Sequence, residues 1–216
     1  MPSYPPDITL ARSIWMSIAL SLLCACVQDA APREESLWVD TTEEYLEGES
    51  IRFRKPARLA RTSRYFLERD LPWLREDSTK LASVQRALYL MEFRDEHIDV
   101  FVDTVSRDRL VVIANTGPID FTNGEAAALR ADLQYQSDEM AALDTTVVRG
   151  PIEGQLKGTG ELRMARYAQR LSLVADGASW MHRSYFLTGS RFTLLVTEVA
   201  TDEGLIEPYL WSVKSS

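Results

Sequence analysis

The chain has 216 residues but only two cysteines and two histidines, and that scarcity excludes much. Cys24 and Cys26 both lie near the start, so nothing downstream forms a disulfide or a thiolate metal site. No Gly-x-Ser-x-Gly elbow frames a serine: Ser179 lies in Gly177-Ala178-Ser179-Trp180 and reads as a turn residue. Gly150, Gly154, Gly158 and Gly160 are scattered, with no lysine-serine or lysine-threonine pair after them, which excludes a phosphate loop. An excess of basic charge is also missing. The net charge of −8 favours solubility and argues against nucleic acid as a partner. The one marked apolar run, Ser13 to Leu23, falls short of the roughly 20 residues that span a bilayer. Internal repeats and low-complexity tracts are absent.

What is present begins with that run. Its length suits the core of a secretory signal peptide, with Arg12 as the positive flank and either Met1 or Met16 as the start. It closes on Leu23-Cys24-Ala25-Cys26, which resembles the bacterial lipobox, in which a small residue precedes the cysteine that is acylated on its thiol. Cys26 follows Ala25 and fits the acceptor position; Cys24 follows the bulky Leu23 and fits it poorly. The resemblance implies a bacterial lipoprotein held at the membrane by acyl chains, each buried methylene contributing about 0.8 kcal/mol. Val27, where an aspartate would retain such a protein at the inner membrane, implies the outer membrane facing the periplasm.

The expected organisation is a signal peptide over residues 1–25, a lipidated cysteine and polar tether over 26–47, and one domain over 48–216. An apolar fraction of 45% and a charged fraction of 26% suit a globular domain that relies on packing. Ser50 to Arg54 alternates as a strand stopped by Pro56. Ala57 to Arg75 is ambiguous between extended chain and helix. Leu81, Val84, Leu88 and Met91 recur at helical spacing behind Ser78 and Thr79. Ile98, Val100 and Val102 alternate with His97, Asp99, Phe101 and Asp103, predicting a half-buried strand that turns into a central strand, Leu110 to Ala114. Thr122 and Glu125 have capping-box spacing, and Ala126, Leu129, Leu133, Met140 and Leu143 trace one face of the helix that follows. Val147-Val148 and Glu161 to Leu173 are strand-like. Trp180 to Leu187 and Arg191 to Val199 read as a hairpin, and Ile206, Tyr209, Leu210 and Val213 as a short terminal helix.

This order predicts an α+β domain, a mostly antiparallel sheet covered by helices. On Ile51-Arg52-Phe53-Arg54-Lys55-Pro56, the helix after Thr122 and the ending Phe192 to Ser212, the chain resembles the PsbP-like fold. That α/β/α sandwich occurs in a photosystem extrinsic protein, a Ran-binding import factor and bacterial DcrB-like lipoproteins. The region Tyr65 to Phe93, inserted after the first strand, departs from the pattern. The resemblance implies a non-catalytic binding fold.

Few residues invite chemistry. His97, Asp99 and Asp103 share strand parity and offer one nitrogen and two carboxylates, the donor set of a divalent metal; the alternative is a solvated strand face. His182 sits mid-strand between Met181 and Arg183, with no catalytic partner evident. Arg52, Arg54, Lys55, Arg58, Arg61 and Arg64 form a basic run, either a surface for lipid phosphates or an acidic partner, or exposed positions balanced by the acids upstream. Trp38, Trp73, Trp180 and Trp211 are dispersed and read as core or rim. The expectation is therefore a lipid-anchored envelope protein, not an enzyme and without a cofactor, that binds another envelope component. Alternatives are a metal-assisted hydrolase using His97, Asp99 and Asp103, and a carrier with an apolar pocket between the sheet and the helix Thr122 to Leu143.

Overall fold

A computed structural model of the chain describes residues 40–46, 51–72, 74, 98–119, 122–159, 161–201 and 203–215. The expected signal peptide and Cys26, the helix expected at Leu81 to Met91, and His97 lie outside the described residues.

One compact unit runs from Asp40 to Ser216, and its first strand lies ahead of the expected boundary at 48. Thr41–Tyr45 is a strand, β1, paired antiparallel with β2, Ile51–Pro56. Residues assigned to the tether therefore belong to the domain. Their sequence, TTEEY, conceals this because the strand is largely exposed and carries no apolar alternation. The ambiguous stretch after Pro56 resolves into β3, Leu59–Thr62, a 3₁₀ turn at Arg64–Phe66 and a short helix α1, Leu67–Asp70.

β4 (Ile98–Asp103) and β5 (Arg109–Asn115) follow, then helix α2, Asn123–Leu143. The remaining strands are β6 (Val147–Arg149), β7 (Glu153–Thr159), β8 (Leu162–Leu173), β9 (Ser179–Thr188) and β10 (Thr193–Ala200). A single helical turn α3, Glu207–Leu210, and β11, Lys214–Ser215, end the described chain.

The large sheet runs β3-β4-β5-β10-β9-β8-β6, with β7 also on β8, and every pairing is antiparallel. β1, β2 and β11 form a second, three-stranded sheet. Directly opposed residues share a face, so the register assigns each side chain.

One face carries Val100, Val102, Leu110, Val112 and Ala114, covered by Leu67 of α1 and by Leu71 and Leu74 of the turn that follows it. Further along, α2 lies on the same face: Ala126, Leu129 and Leu133 pack on Ile152, Ala165 and Tyr167, and Tyr167 meets Phe186 edge-on at 5.9 Å. The opposite face presents Phe101, Val111, Ile113, Val196, Tyr185 and Leu187, all buried. Phe53 of β2 packs edge-on against Phe101 at 6.1 Å, and the same β2 is held to the C-terminus by β11 and by the Arg54 N–H, which donates to Ser212 Oγ at 2.8 Å. Ile206, Tyr209, Leu210 and Val213 are buried, although the helix expected from their spacing is a single turn, Glu207–Leu210, with Ile206 and Val213 outside it.

Three details differ from expectation. β4 is buried on both faces, because the second sheet covers the side that the alternation assigned to solvent. Leu143, placed on the apolar face of α2, is 81% exposed, since the helix overruns the sheet at its last turn. β7 went unpredicted because glycine and polar residues fill it; Gly158 takes φ +143°, where an added Cβ would lie 2.5 Å from the Leu162 carbonyl oxygen.

Candidate binding groove

The polar residues of the sheet divide between its faces. On the face under the second sheet, Glu198 and Arg109 are 0% and 1% exposed and form a buried ion pair. Glu198 also accepts from the Leu205 N–H at 2.8 Å and the Tyr185 hydroxyl at 3.2 Å, and Arg183 Nη1 lies 3.9 Å away. Both terminal nitrogens of Arg109 donate to the Glu203 carbonyl at 3.1 Å. This cluster therefore ties the 203–205 loop onto the sheet. Gly204 makes the approach feasible: a Cβ there would stand 3.2 Å from both Glu198 Oε2 and the Tyr185 hydroxyl. Burial, and then the Glu198 charge, push the Tyr185 hydroxyl far above its ordinary range, so it remains a donor.

The carboxylates proposed as metal ligands sit on this same face and already have partners. Asp103 accepts from the Val105 and Ser106 N–H groups at 2.9 and 3.1 Å and is ion-paired with Arg58 at 3.1 Å, with Arg109 4.0 Å away. Asp99 is ion-paired with Arg61. Their oxygens are engaged by guanidinium groups and, at Asp103, by backbone N–H groups, rather than turned to an open site. Among the described residues, no group of three His, Cys, Asp or Glu is placed to hold a metal ion.

The basic run is not one surface. Lys55 is buried, donates to the Leu59 carbonyl and to Thr42 Oγ1 at 3.2 Å, and lies 3.5 Å from Glu44. Arg61 also binds Glu44, at 3.0 Å, and stacks its guanidinium 5.4 Å from the Phe101 ring. Arg52 pairs with Glu43 at 3.3 Å, and Arg54 is exposed. Alternation sends neighbouring members to opposite sides of β2 and β3, and the upstream acids of β1 meet those that face them. Arg64 lies in the 3₁₀ turn beyond.

The helix-covered face carries the concave features. α2 starts at a full capping box: the Glu125 N–H donates to Thr122 Oγ1 at 3.3 Å and the Thr122 N–H to the Glu125 carboxylate at 2.6 Å. The helix is pinned by Tyr167, whose hydroxyl donates to the Ala126 carbonyl at 2.7 Å, and by Gln169, whose amide donates to Ser137 Oγ and to the Gly150 carbonyl, each at 2.7 Å. Gln134 accepts from the Ile152 N–H at 2.9 Å, and Arg130 Nε donates to the Ile152 carbonyl at 3.1 Å.

Between the N-terminal half of α2 and β7 runs a groove of about 450 Å³. Its helix wall is Ala126, Ala127, Arg130, Ala131 and Gln134; its strand wall is Gly154, Gln155 and Leu156, with Tyr167 as the floor. Ala127 and Ala131 on the helix wall leave volume that larger side chains would fill, whereas Gly154 is covered closely, a Cβ there standing 3.0 Å from Arg130 Cδ and 3.3 Å from the Tyr167 ring. Under the C-terminal half, a smaller hollow of about 180 Å³ is lined by Met140, Arg149, Gln169, His182 and Ser184, among others. His182, unpartnered by any acid in the sequence reading, thus points under α2. Burial, and then the nearby Arg149 charge, lower it to about 4, so its imidazole is neutral near pH 7. The sequence offers a pocket between the sheet and this helix as one alternative but not its lining, because the signal of the larger groove is what α2 lacks, bulky side chains at positions 127 and 131.

These layers define an α+β domain of the PsbP-like fold. The domain is similar to the solution structure of cyanobacterial PsbP (CyanoP) from Synechocystis sp. PCC 6803, with a TM-score of 0.51 and 12% identity, covering 82% of this chain and 93% of that one. At that identity the likeness is one of fold. No protein-family model and no curated protein matches the sequence.

Proposed function

We propose that the protein is a lipid-anchored accessory module of the bacterial envelope, acylated at Cys26, which holds its domain at the outer membrane facing the periplasm and binds another envelope component without catalysis. The observation that supports this most directly is the groove between α2 and β7, open to solvent along Ala127, Ala131, Gly154 and Gln155. The charged groups of the sheet, by contrast, hold layers and loops together. A metal-assisted hydrolase using His97, Asp99 and Asp103 would first have to break the ion pairs of Asp99 with Arg61 and of Asp103 with Arg58.

Two measurements test it. Metabolic labelling with a fatty acid should mark the chain and should fail after Cys26→Ser; label that survives the change overturns the anchor. Crosslinking in living cells should recover one component reproducibly with the mature protein. A chain recovered alone overturns the binding role.

The groove also favours a second reading, a carrier of a small apolar ligand, because it lies between the sheet and this helix, where such a carrier needs its pocket. A purified domain that releases an apolar molecule on denaturation would support the carrier.

A further inference from the structure

We infer that the groove is completed by β-augmentation: an extended segment of a partner protein adds to the outer edge of β7, and its alternate side chains enter the space beside α2. The inference rests on the module reading and names how that module binds.

The first observation is the edge itself. Among the described residues, β7 has β8 as its one strand neighbour, over the full register Glu153↔Ala168 to Thr159↔Leu162. In an antiparallel strand alternate residues direct N–H and C=O to the neighbour, and the rest direct theirs outward. Folded proteins commonly shield such edges with proline, charge or a bulge, because an open edge recruits strands. On β7 these devices stand at the margins: Pro151 precedes the strand, Gly158 carries its positive φ near the end, and Lys157 turns to Glu207 at 2.6 Å on the far face. The stretch Gly154-Gln155-Leu156 between them is left open.

The second observation is the groove along that same stretch. A strand added to β7 points every other side chain toward the face that α2 occupies, where Ala127 and Ala131 leave room. The third is charge. Exposed positions of α2 carry Glu125, Asp132, Asp138 and Glu139, against one base, Arg130. Among the described residues Arg130 is also the only charged one lining the groove, with its Nε held on the Ile152 carbonyl. The occupant is therefore an extended protein segment with small or apolar side chains on one parity and an Asp or Glu placed against Arg130.

The test uses the full chain with its anchor, in cells. A photoreactive side chain replaces Ala127 or Ala131, both exposed, and Trp211 on the opposite face serves as the control position. The edge is probed with Gln155→Pro and Leu156→Pro. One of these neighbours directs its N–H into β8 and the other outward, so the two variants separate by melting temperature, and the more stable one, which keeps the β8 ladder, loses an outward donor; Leu156→Pro also gives up the packing of Leu156 on Ile152, Ala165 and Tyr167. Arg130→Gln, at an exposed site, is the second probe. Expected are adducts from 127 and 131 that map to one partner segment and fall at least tenfold in the stable proline variant and in Arg130→Gln. Adducts that neither change weakens overturn the inference, as does an adduct peptide lying within a partner helix. A partner captured from 211 alone overturns it while leaving the module reading intact; no partner from any position removes both. Self-association that the stable proline variant dissolves would put a second copy in the groove and overturn a foreign segment.

Discussion

The two faces of the large sheet solve opposite problems. Under the second sheet, Glu198, Arg109 and Asp103 are buried and ion-paired, Glu198 also accepts from the Leu205 N–H, and the result is a fixed C-terminal loop. Under α2, polar groups such as Gln169, Ser137 and His182 are neutral and sit at the margins of hollows. Charge in this domain is a device for closing one face. The face that stays partly open is lined by amides, alanines and a single arginine in each hollow.

The largest expected effect lies in the closed face. Truncating one partner of a buried ion pair leaves the other uncompensated, at a cost of about 3–5 kcal/mol, whereas replacing the pair with apolar groups of similar size is often neutral. Glu198→Ala should therefore destabilise the domain strongly in chemical denaturation and free the 203–205 loop to proteolysis. Adding Arg109→Met to it should recover much of the loss. If Glu198→Ala melts within a few degrees of the parent, the cluster is not what closes this face.

A smaller effect, with a definite sign, belongs to the open face. His182 titrates near 4 when folded and near 6.5 when unfolded, so between those values the unfolded chain binds more protons. Stability is unaffected above about pH 6.5, declines as the pH falls toward 4, and levels off below that. The loss is on the order of 1–3 kcal/mol. His182→Gln should flatten this part of the curve of stability against pH. An unchanged slope in that variant would mean that the hollow beneath α2 is not what holds the imidazole neutral.

How much of this division is legible in the sequence follows from what each face displays. Alternation in Ile51–Pro56 and apolar density in Leu110 to Ala114 mark strands because burial there depends on local pattern. The capping box at Thr122 is local too, and it fixes the start of α2. Asp99 and Asp103 show the limit: parity correctly puts them on one side of β4, but whether that side meets solvent or Phe53 depends on a sheet formed by residues some fifty positions earlier and on β11, which closes it from the far end of the chain. β1 and β7 are edge strands whose side chains are mostly exposed, so no apolar period announces them. The groove is legible only as an omission, Ala127 and Ala131 where α2 could carry bulk, and an omission acquires meaning once the helix has been set against β7.

The smallest effect separates the anchoring of α2 from its service as a groove wall. Thr122→Ala removes a hydroxyl that satisfies a helix N-terminal N–H, worth about 1 kcal/mol. It lies about one turn before Ala126 and Ala127 and two before Arg130, and is not among the residues lining the groove. Hydrogen exchange should therefore quicken over the first turn of α2 while protection around Ser137, clamped by Gln169, is retained. Faster exchange along the whole helix would mean that α2 is held by its cap rather than by Tyr167 and Gln169, and that the groove wall opens as a unit.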